Sequence, residues 1–173
     1  RPEYLAINPQ GLVPALEDRD KVFIQSLAII EYLEEFYPEP SILPPNSNAR
    51  AYVRAIAQII ACEVHPLNNL RVLNYLTDSL NCSDDQKRKW CCYWIYEGLA
   101  AIEKFLEGHN SKGKFCYGDN PTLADIFLVP QVYSVKRFDC DISKFPNIKN
   151  INEECLSLNE FSAAAPNNQS DAE

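Results

Sequence analysis

Four prolines fall within eight positions, at Pro38, Pro40, Pro44 and Pro45, and no other feature of this 173-residue chain limits its fold more. Proline lacks an amide hydrogen and holds φ near about −65°. The stretch therefore resists helix and sheet alike and reads as an ordered but irregular connector. A boundary there predicts a first domain over 1–38, a linker over 39–48, a helical domain over 49–160 and a flexible tail over 161–173.

Ahead of the connector, the chain passes from a turn-rich stretch beginning at Tyr4 to two strand-like runs, Val13–Leu16 and Lys21–Ile24. The charged turn Glu17-Asp18-Arg19-Asp20 joins them. That is a hairpin pattern. Ser26 stands as an N-cap before a run in which Ile29, Tyr32, Leu33 and Phe36 keep helical spacing, and the helix is expected to stop before Pro38.

Beyond the connector the pattern is helical throughout. A long helix is expected from about Ala49 to Leu80, with a buried stripe of Val53, Ile56, Ala57, Ile60, Ala61 and Val64. Pro66 should bend it, since its ring collides with the carbonyl of Cys62. Ser83 and Gln86 form a capping box for a helix that buries Cys91, Ile95, Leu99, Ile102 and Leu106 and stops near Gly108. Thr122 and Asp125 announce another helix, which contains Pro130 and forms the buried centre of the bundle. A last amphipathic stretch runs from Asn147 to Leu158. The ending from Ala163 to Ser170 has little that could pack.

Composition excludes several function classes. With 46% apolar and 23% charged residues and a formal charge of −8, the chain has the balance of a globular protein and no basic stripe to track a phosphate backbone. Nucleic acid is not an expected partner. No apolar run reaches the roughly 18–20 residues that cross a bilayer, so no membrane partner is expected and the location should be cytoplasmic. Seven cysteines without a C-x-x-C pair read as free thiols of a reducing compartment. Cys62, Cys91 and Cys92 fall on faces that read as core. With only His65 and His109 as histidines, no zinc spacing arises, and no metal is expected. The chain has no methionine, so the sequence is expected to lack its translation start.

The chemistry-bearing candidates are few. Proline at a strand start is confined to edges or bulges, and spacing alone favours an ordinary trans bond at Val13-Pro14. A cis bond would instead turn the Val13 N–H and C=O outward, toward an extended peptide ligand. Gln25-Ser26 opens a helix whose free N–H groups suit a carboxylate, although a serine there is also an ordinary cap. Asn68 and Asn69 are poor residues for the middle of a helix, fitting either a ligand contact or local carbonyls freed by the bend. His65 is read as structural, at the border of that bend. Arg71 and Arg137 could grip carboxylates bidentately or pair with surface acids.

Several runs carry a resemblance: NPQGLVPAL from Asn8, QSLAIIEYL from Gln25, CEVHPLNNLR from Cys62, TLAD from Thr122 and VPQVY from Val129. In that order, and over nearly the whole chain, they resemble the zeta class of glutathione transferases, the maleylacetoacetate isomerase family. The resemblance implies an α/β plus all-α fold, a partial thioredoxin-like N-terminal domain followed by an all-helical glutathione-transferase bundle. It implies glutathione as cofactor, held by Val13, Pro14, Gln25 and Ser26 with Asn68 and Asn69. It also implies a small anionic substrate, met by Arg71 and Arg137 with His65 nearby, and a homodimer. The family's Ser-Ser-Cys motif, which activates the glutathione sulfur, matches nothing here, so the catalytic residues are expected in a segment ahead of Arg1.

The implied activity is glutathione-dependent cis–trans isomerisation of a maleyl-type diacid. That means maleylacetoacetate in tyrosine and aromatic amino acid breakdown, or the related maleylpyruvate. Two alternatives stand beside it: a general glutathione transferase or peroxidase acting on apolar electrophiles, and a noncatalytic binding module of the same fold.

Overall fold

The structure, a computed structural model, describes residues 2–108, 113–170 and 172. It falls into two compact units, residues 1–43 and 44–173. His109, weighed above as a zinc ligand, lies outside the described residues.

The first unit opens with α1 (Pro2–Ile7) where a turn-rich stretch was expected. The signals were present: a proline at the first helical position and Glu3 in the first turn. The chain then turns through Gly11 at φ 66°. Asn8, only 1% exposed, fixes this turn by donating from Nδ2 to Leu12 O (2.6 Å) while its Oδ1 accepts from Gln10 N (3.0 Å). The Tyr4 hydroxyl donates to the same Leu12 carbonyl at 2.6 Å.

Strands β1 (Ala15–Asp18) and β2 (Lys21–Ile24) pair antiparallel, from Ala15 opposite Ile24 to Asp18 opposite Lys21. β1 starts two residues later than expected, because Pro14 has no N–H for the ladder. The turn is only Arg19-Asp20, both at positive φ (50° and 64°), the handedness that matches the strands' twist. Helix α2 (Ser26–Phe36) packs on the hairpin through Tyr32, which stacks on Phe23 (centroids 4.0 Å) and donates to Asp18 Oδ2 (2.6 Å). Leu33 and Phe36 stay exposed. The Glu34 carboxylate accepts from the N–H groups of Ile42 (3.0 Å) and Leu43 (3.3 Å), which ties down the proline-rich segment.

In the second unit, α3 (Ser47–Gln58) begins at Asn46, whose side chain accepts from Ala49 N at 2.8 Å. The expected long, bent helix is instead broken. A π-helical turn (Ile59–Val64) and a 3-10 turn (His65–Asn68) separate α3 from α4 (Leu70–Asp78). His65 N–H reaches back five residues to Ile60 O, so the backbone is already widened where the Pro66 ring would meet the Cys62 carbonyl of a regular helix. Helix α5 (Asp84–Gly108) starts at the expected box, with Ser83 N bonded to Gln86 Oε1 (2.8 Å) and Gln86 N to Ser83 Oγ (3.3 Å).

Helix α6 (Leu123–Arg137) packs against α3, α7 (Pro146–Ser157) and the π-turn. Its start is held by the fully buried Asp125. Oδ2 accepts from Thr122 N and Oγ (both 2.8 Å), and Oδ1 accepts from Cys116 N (2.9 Å). The start of α7 is held by another helix. Glu103 of α5, 5% exposed, accepts from Asn147 N and Nδ2 (both 2.8 Å) and from Ile148 N (3.0 Å). Beyond α7, α8 (Asn159–Ala163) and a 3-10 turn (Pro166–Asn168) occupy part of the polar ending. Tyr133 of α6 donates to Asn167 Oδ1 there at 3.0 Å.

The cysteines depart from expectation. Cys92 and Cys140 form a disulfide across 48 residues of sequence, so they are not free thiols. Cys62 is exposed rather than core, while Cys91, Cys116 and Cys155 are buried. Spacing could not foresee the pair, because the two residues meet only when the turn after α6 packs on α5.

Candidate active site

The hairpin register places two of the predicted elements together. Ala15 pairs with Ile24, so Pro14 and Gln25, the residues just outside the ladder, lie at the same end of it. The Val13-Pro14 bond is cis, not the trans form that spacing favours. Val13 is 83% exposed, and among the described residues its N–H and C=O have no hydrogen-bond partner.

Ser26 is not the cap of α2 but its first residue, and Gln25 holds the capping position at φ 72° and ψ 121°. β2 ends at Ile24 and α2 begins at Ser26, so one residue makes the whole turn from strand to helix. A non-glycine residue at such angles costs about 1–3 kcal/mol. Gln25 makes no side-chain cap bond; its Nε2 donates instead to Gln10 Oε1 at 2.7 Å. The first N–H groups of α2 are thus left to an anion.

The second unit carries the other constellation. His65 is exposed, yet the protein crowded around its ring lowers its pKa below the ordinary 6.5, favouring neutral imidazole. Asn68 donates from Nδ2 to Val64 O (3.1 Å), which answers a carbonyl of the break, but its Oδ1 is buried without a partner among the described residues. Asn69 is not inside a helix; it is the N-cap of α4, accepting from Arg71 N at 3.1 Å. The 3-10 turn is fixed to α5 by Trp90, whose Nε1 donates to Leu67 O at 2.8 Å.

Arg71 lies in the first turn of α4 and Arg137 ends α6, both exposed. Among the described residues neither guanidinium is in an ion pair. Arg137 lies 5.9 Å from the centroid of the Phe138 ring. Phe138 in turn packs on a cluster formed by Leu73 and Leu76 of α4 and Cys91 of α5. Helix α4 and the end of α6 therefore share one apolar support.

No buried thiol of this unit competes as a nucleophile. Burial, and then the Asp125 carboxylate, push Cys155 up to about 12 and raise Cys116 strongly, and burial also raises Cys91, which keeps all three protonated at neutral pH.

The Glutathione S-transferase, N-terminal domain model matches residues 1–41, and the Glutathione S-transferase, C-terminal domain model matches residues 96–159. A maleylpyruvate isomerase of Ralstonia sp is 44% identical over 169 residues, covering 98% of this chain and 80% of that protein. The solved holo structure of maleyl pyruvate isomerase, described as a bacterial zeta-class glutathione-S-transferase, superposes with a TM-score of 0.98 at 43% identity. That match covers 100% of this chain and 82% of the other. The chain belongs to the zeta class of glutathione transferases. A maleylacetoacetate isomerase from Methylobacterium extorquens AM1, solved with bound malonate and GSH, matches at TM-score 0.93 and 36% identity, over 100% of this chain and 81% of that one.

This zeta-class transferase has the family's fold, with a thioredoxin-like part that contains the two-stranded sheet and a predominantly helical domain. Sequence reasoning overlooked the residues that support the site. Tyr4 and Asn8 converge on the Leu12 carbonyl and so fix the backbone just before Val13. Phe138 supports Arg137. An asparagine three residues before a turn glycine was the available signal for the first group; the second had none, because Phe138 meets α4 only in the folded chain.

Proposed function

We propose that this chain is a glutathione-dependent cis–trans isomerase of a maleyl-type diacid, converting maleylacetoacetate to fumarylacetoacetate or maleylpyruvate to fumarylpyruvate. The observation that carries the reading is the match along the whole chain to a holo maleylpyruvate isomerase, joined to local geometry that suits both ligands. The exposed, unpaired Val13 backbone suits an extended peptide, and the uncapped start of α2 at Gln25 and Ser26 suits its carboxylate. Asn68 offers a buried, unpaired oxygen.

In this assignment Val13, Pro14, Gln25, Ser26, Asn68 and Asn69 hold glutathione. Glutathione, when bound, supplies the thiol that adds reversibly to the cis double bond and so permits rotation about it. Arg71 and Arg137 grip the diacid's carboxylates in planar, charge-assisted pairs and offset their charge. His65, neutral at pH 7, borders them without adding charge. These groups bind, orient and balance charge; activation of the thiol is assigned to none of them. By the pattern of its family the chain is also assigned to a cytoplasmic homodimer, which sedimentation of the purified protein tests.

The deciding experiment uses protein expressed from the complete reading frame. It measures retention on immobilised glutathione, isomerisation of maleylpyruvate and maleylacetoacetate, and conjugation of a neutral aryl halide. Arg137→Ala should raise KM for the diacid about 10–100-fold, the worth of one lost hydrogen-bonded charge pair. Conjugation of the neutral compound should stay within about twofold, since no carboxylate is involved. Equal loss on both substrates would favour a general transferase. Failure to bind glutathione would overturn the enzymatic reading altogether.

A further inference from the structure

Arg137 is the last residue of α6, and the turn after it is tied down with unusual thoroughness. Asp139 is left-handed, at φ 53°. Its N–H bonds Lys136 O, and the N–H of Cys140 bonds Val135 O, each at 3.1 Å. This paired closure ends the helix. Cys140 is then cross-linked to Cys92 of α5. The next residue, Asp141, donates its N–H to the hydroxyl of Tyr96 at 2.8 Å, one turn further along α5.

Phe138 sits inside this arrangement. Its ring is the surface over which the Arg137 guanidinium lies, and its carbonyl oxygen lies 3.7 Å and 3.8 Å from the sulfurs of Cys92 and Cys140. Joined as a disulfide, those sulfurs have no proton to give. After reduction, either thiol can donate to that carbonyl. Cleavage would thus remove the covalent tie and place a new hydrogen bond on the residue that supports Arg137.

We propose that the Cys92–Cys140 disulfide is a thiol-exchangeable latch that positions Arg137, so that the closed, oxidised form grips a dicarboxylate more tightly than the reduced form. This rests on the assignment of Arg137 to the diacid made above. Both cysteines are half-buried, within reach of a small thiol. A glutathione thiolate attacks one of the two sulfurs; the S–S bond breaks, a mixed disulfide forms, and the other cysteine leaves as a thiolate. A second glutathione thiolate attacks the glutathione sulfur of that mixed disulfide, expelling the second cysteine thiolate and releasing glutathione disulfide. Two glutathione thiols are oxidised, two electrons reduce the disulfide, and two protons end on the cysteine sulfurs.

The test poises the protein, expressed from its complete reading frame, at fixed ratios of reduced to oxidised dithiothreitol without glutathione. Alkylation and mass spectrometry report the state of Cys92 and Cys140, and calorimetry reports Kd for maleate, a cis dicarboxylate. Reduction should raise that Kd about fivefold or more, the lower end of the usual range for coupled sites. Coupling is reciprocal, so saturating maleate should lower the midpoint potential by about 21 mV, which is fivefold converted at about 29.6 mV per tenfold for two electrons. A merely structural cross-link would show no such shift.

In Arg137→Ala both effects should vanish, and C92S/C140S should bind maleate as the reduced protein does in either buffer. If the serine variant does not fold, the reduced wild-type protein gives the same reading without substitution. Equal maleate affinity in the two states, an effect that survives in Arg137→Ala, thiols free at every ratio, or no maleate binding at all would overturn the latch. Absence of isomerase turnover with the maleate shift intact would count against the function proposed above while supporting the latch; turnover without the shift would do the reverse.

Discussion

Replacing Glu103 should unseat a helix to which it does not belong. Proline at the first position of α7 has no N–H to cap, so the free donors at its start are those of Asn147 and Ile148, and both go to the Glu103 carboxylate. The Asn147 side chain adds a third bond. At about 1.5–3 kcal/mol for each bond to a charged group, three bonds give a gross loss of about 5–9 kcal/mol in Glu103→Ala. Relief of the buried carboxylate's desolvation returns several kcal/mol of that. Water can reach half-buried Asn147, but the N–H of fully buried Ile148 stays orphaned. The net cost is about 3–4 kcal/mol, above the roughly 1–2 kcal/mol of an ordinary lost cap. Glu103→Gln keeps the length and one acceptor oxygen but loses the charge at a helix start and turns a donor toward an N–H, so it should cost about 1.5–2.5 kcal/mol. Urea unfolding followed by the fluorescence of Trp90 and Trp94, in the same unit, measures both, and amide exchange at Ile148 should accelerate more than at core positions of α5. If Ala costs less than about 1 kcal/mol, or Gln costs as much as Ala, the capping argument is wrong.

Two further outcomes follow from packing and titration. A methyl added at Gly98 would overlap Val64 Cγ2, and Val64 is fully buried. Gly98→Ala should therefore destabilise by about 1–2 kcal/mol despite the roughly 1 kcal/mol that alanine gains over glycine in a helix. Val64→Ala in the same chain should recover part of that in urea unfolding, and a stabilised single variant would refute the close approach. His65 binds its proton less readily in the fold than the ordinary 6.5 of the unfolded chain. As pH falls through about 6.5 the unfolded chain protonates first, so the stability His65 contributes is fully present above that pH and is lost below it. A urea series from about pH 7 to pH 5 should give His65→Gln a shallower decline than wild type, and parallel curves would sink the claim.

Much of this architecture was legible because it is local. The Ser83–Gln86 and Thr122–Asp125 boxes close over three residues, and the stripe of α5 from Cys91 to Ile102 is buried as its spacing foretold. Each of those signals joins neighbours in sequence, which are neighbours in space whatever the rest of the chain does.

Tertiary structure decided what joins distant residues. Glu103 reads as a surface acid until α7 arrives, 44 residues later, to bury it. Cys92 and Cys140 read as two free thiols until the turn after α6 packs on α5. The long helix that spacing predicted from Ala49 gives way at Ile59, where a π-turn sets Val64 against the bare face of Gly98. Periodicity fixes which side of a helix is apolar, because that depends on a repeat of about 3.6 residues. It says nothing of which carboxylate, sulfur or methyl will stand opposite, because that partner is supplied by another segment only once the chain has folded.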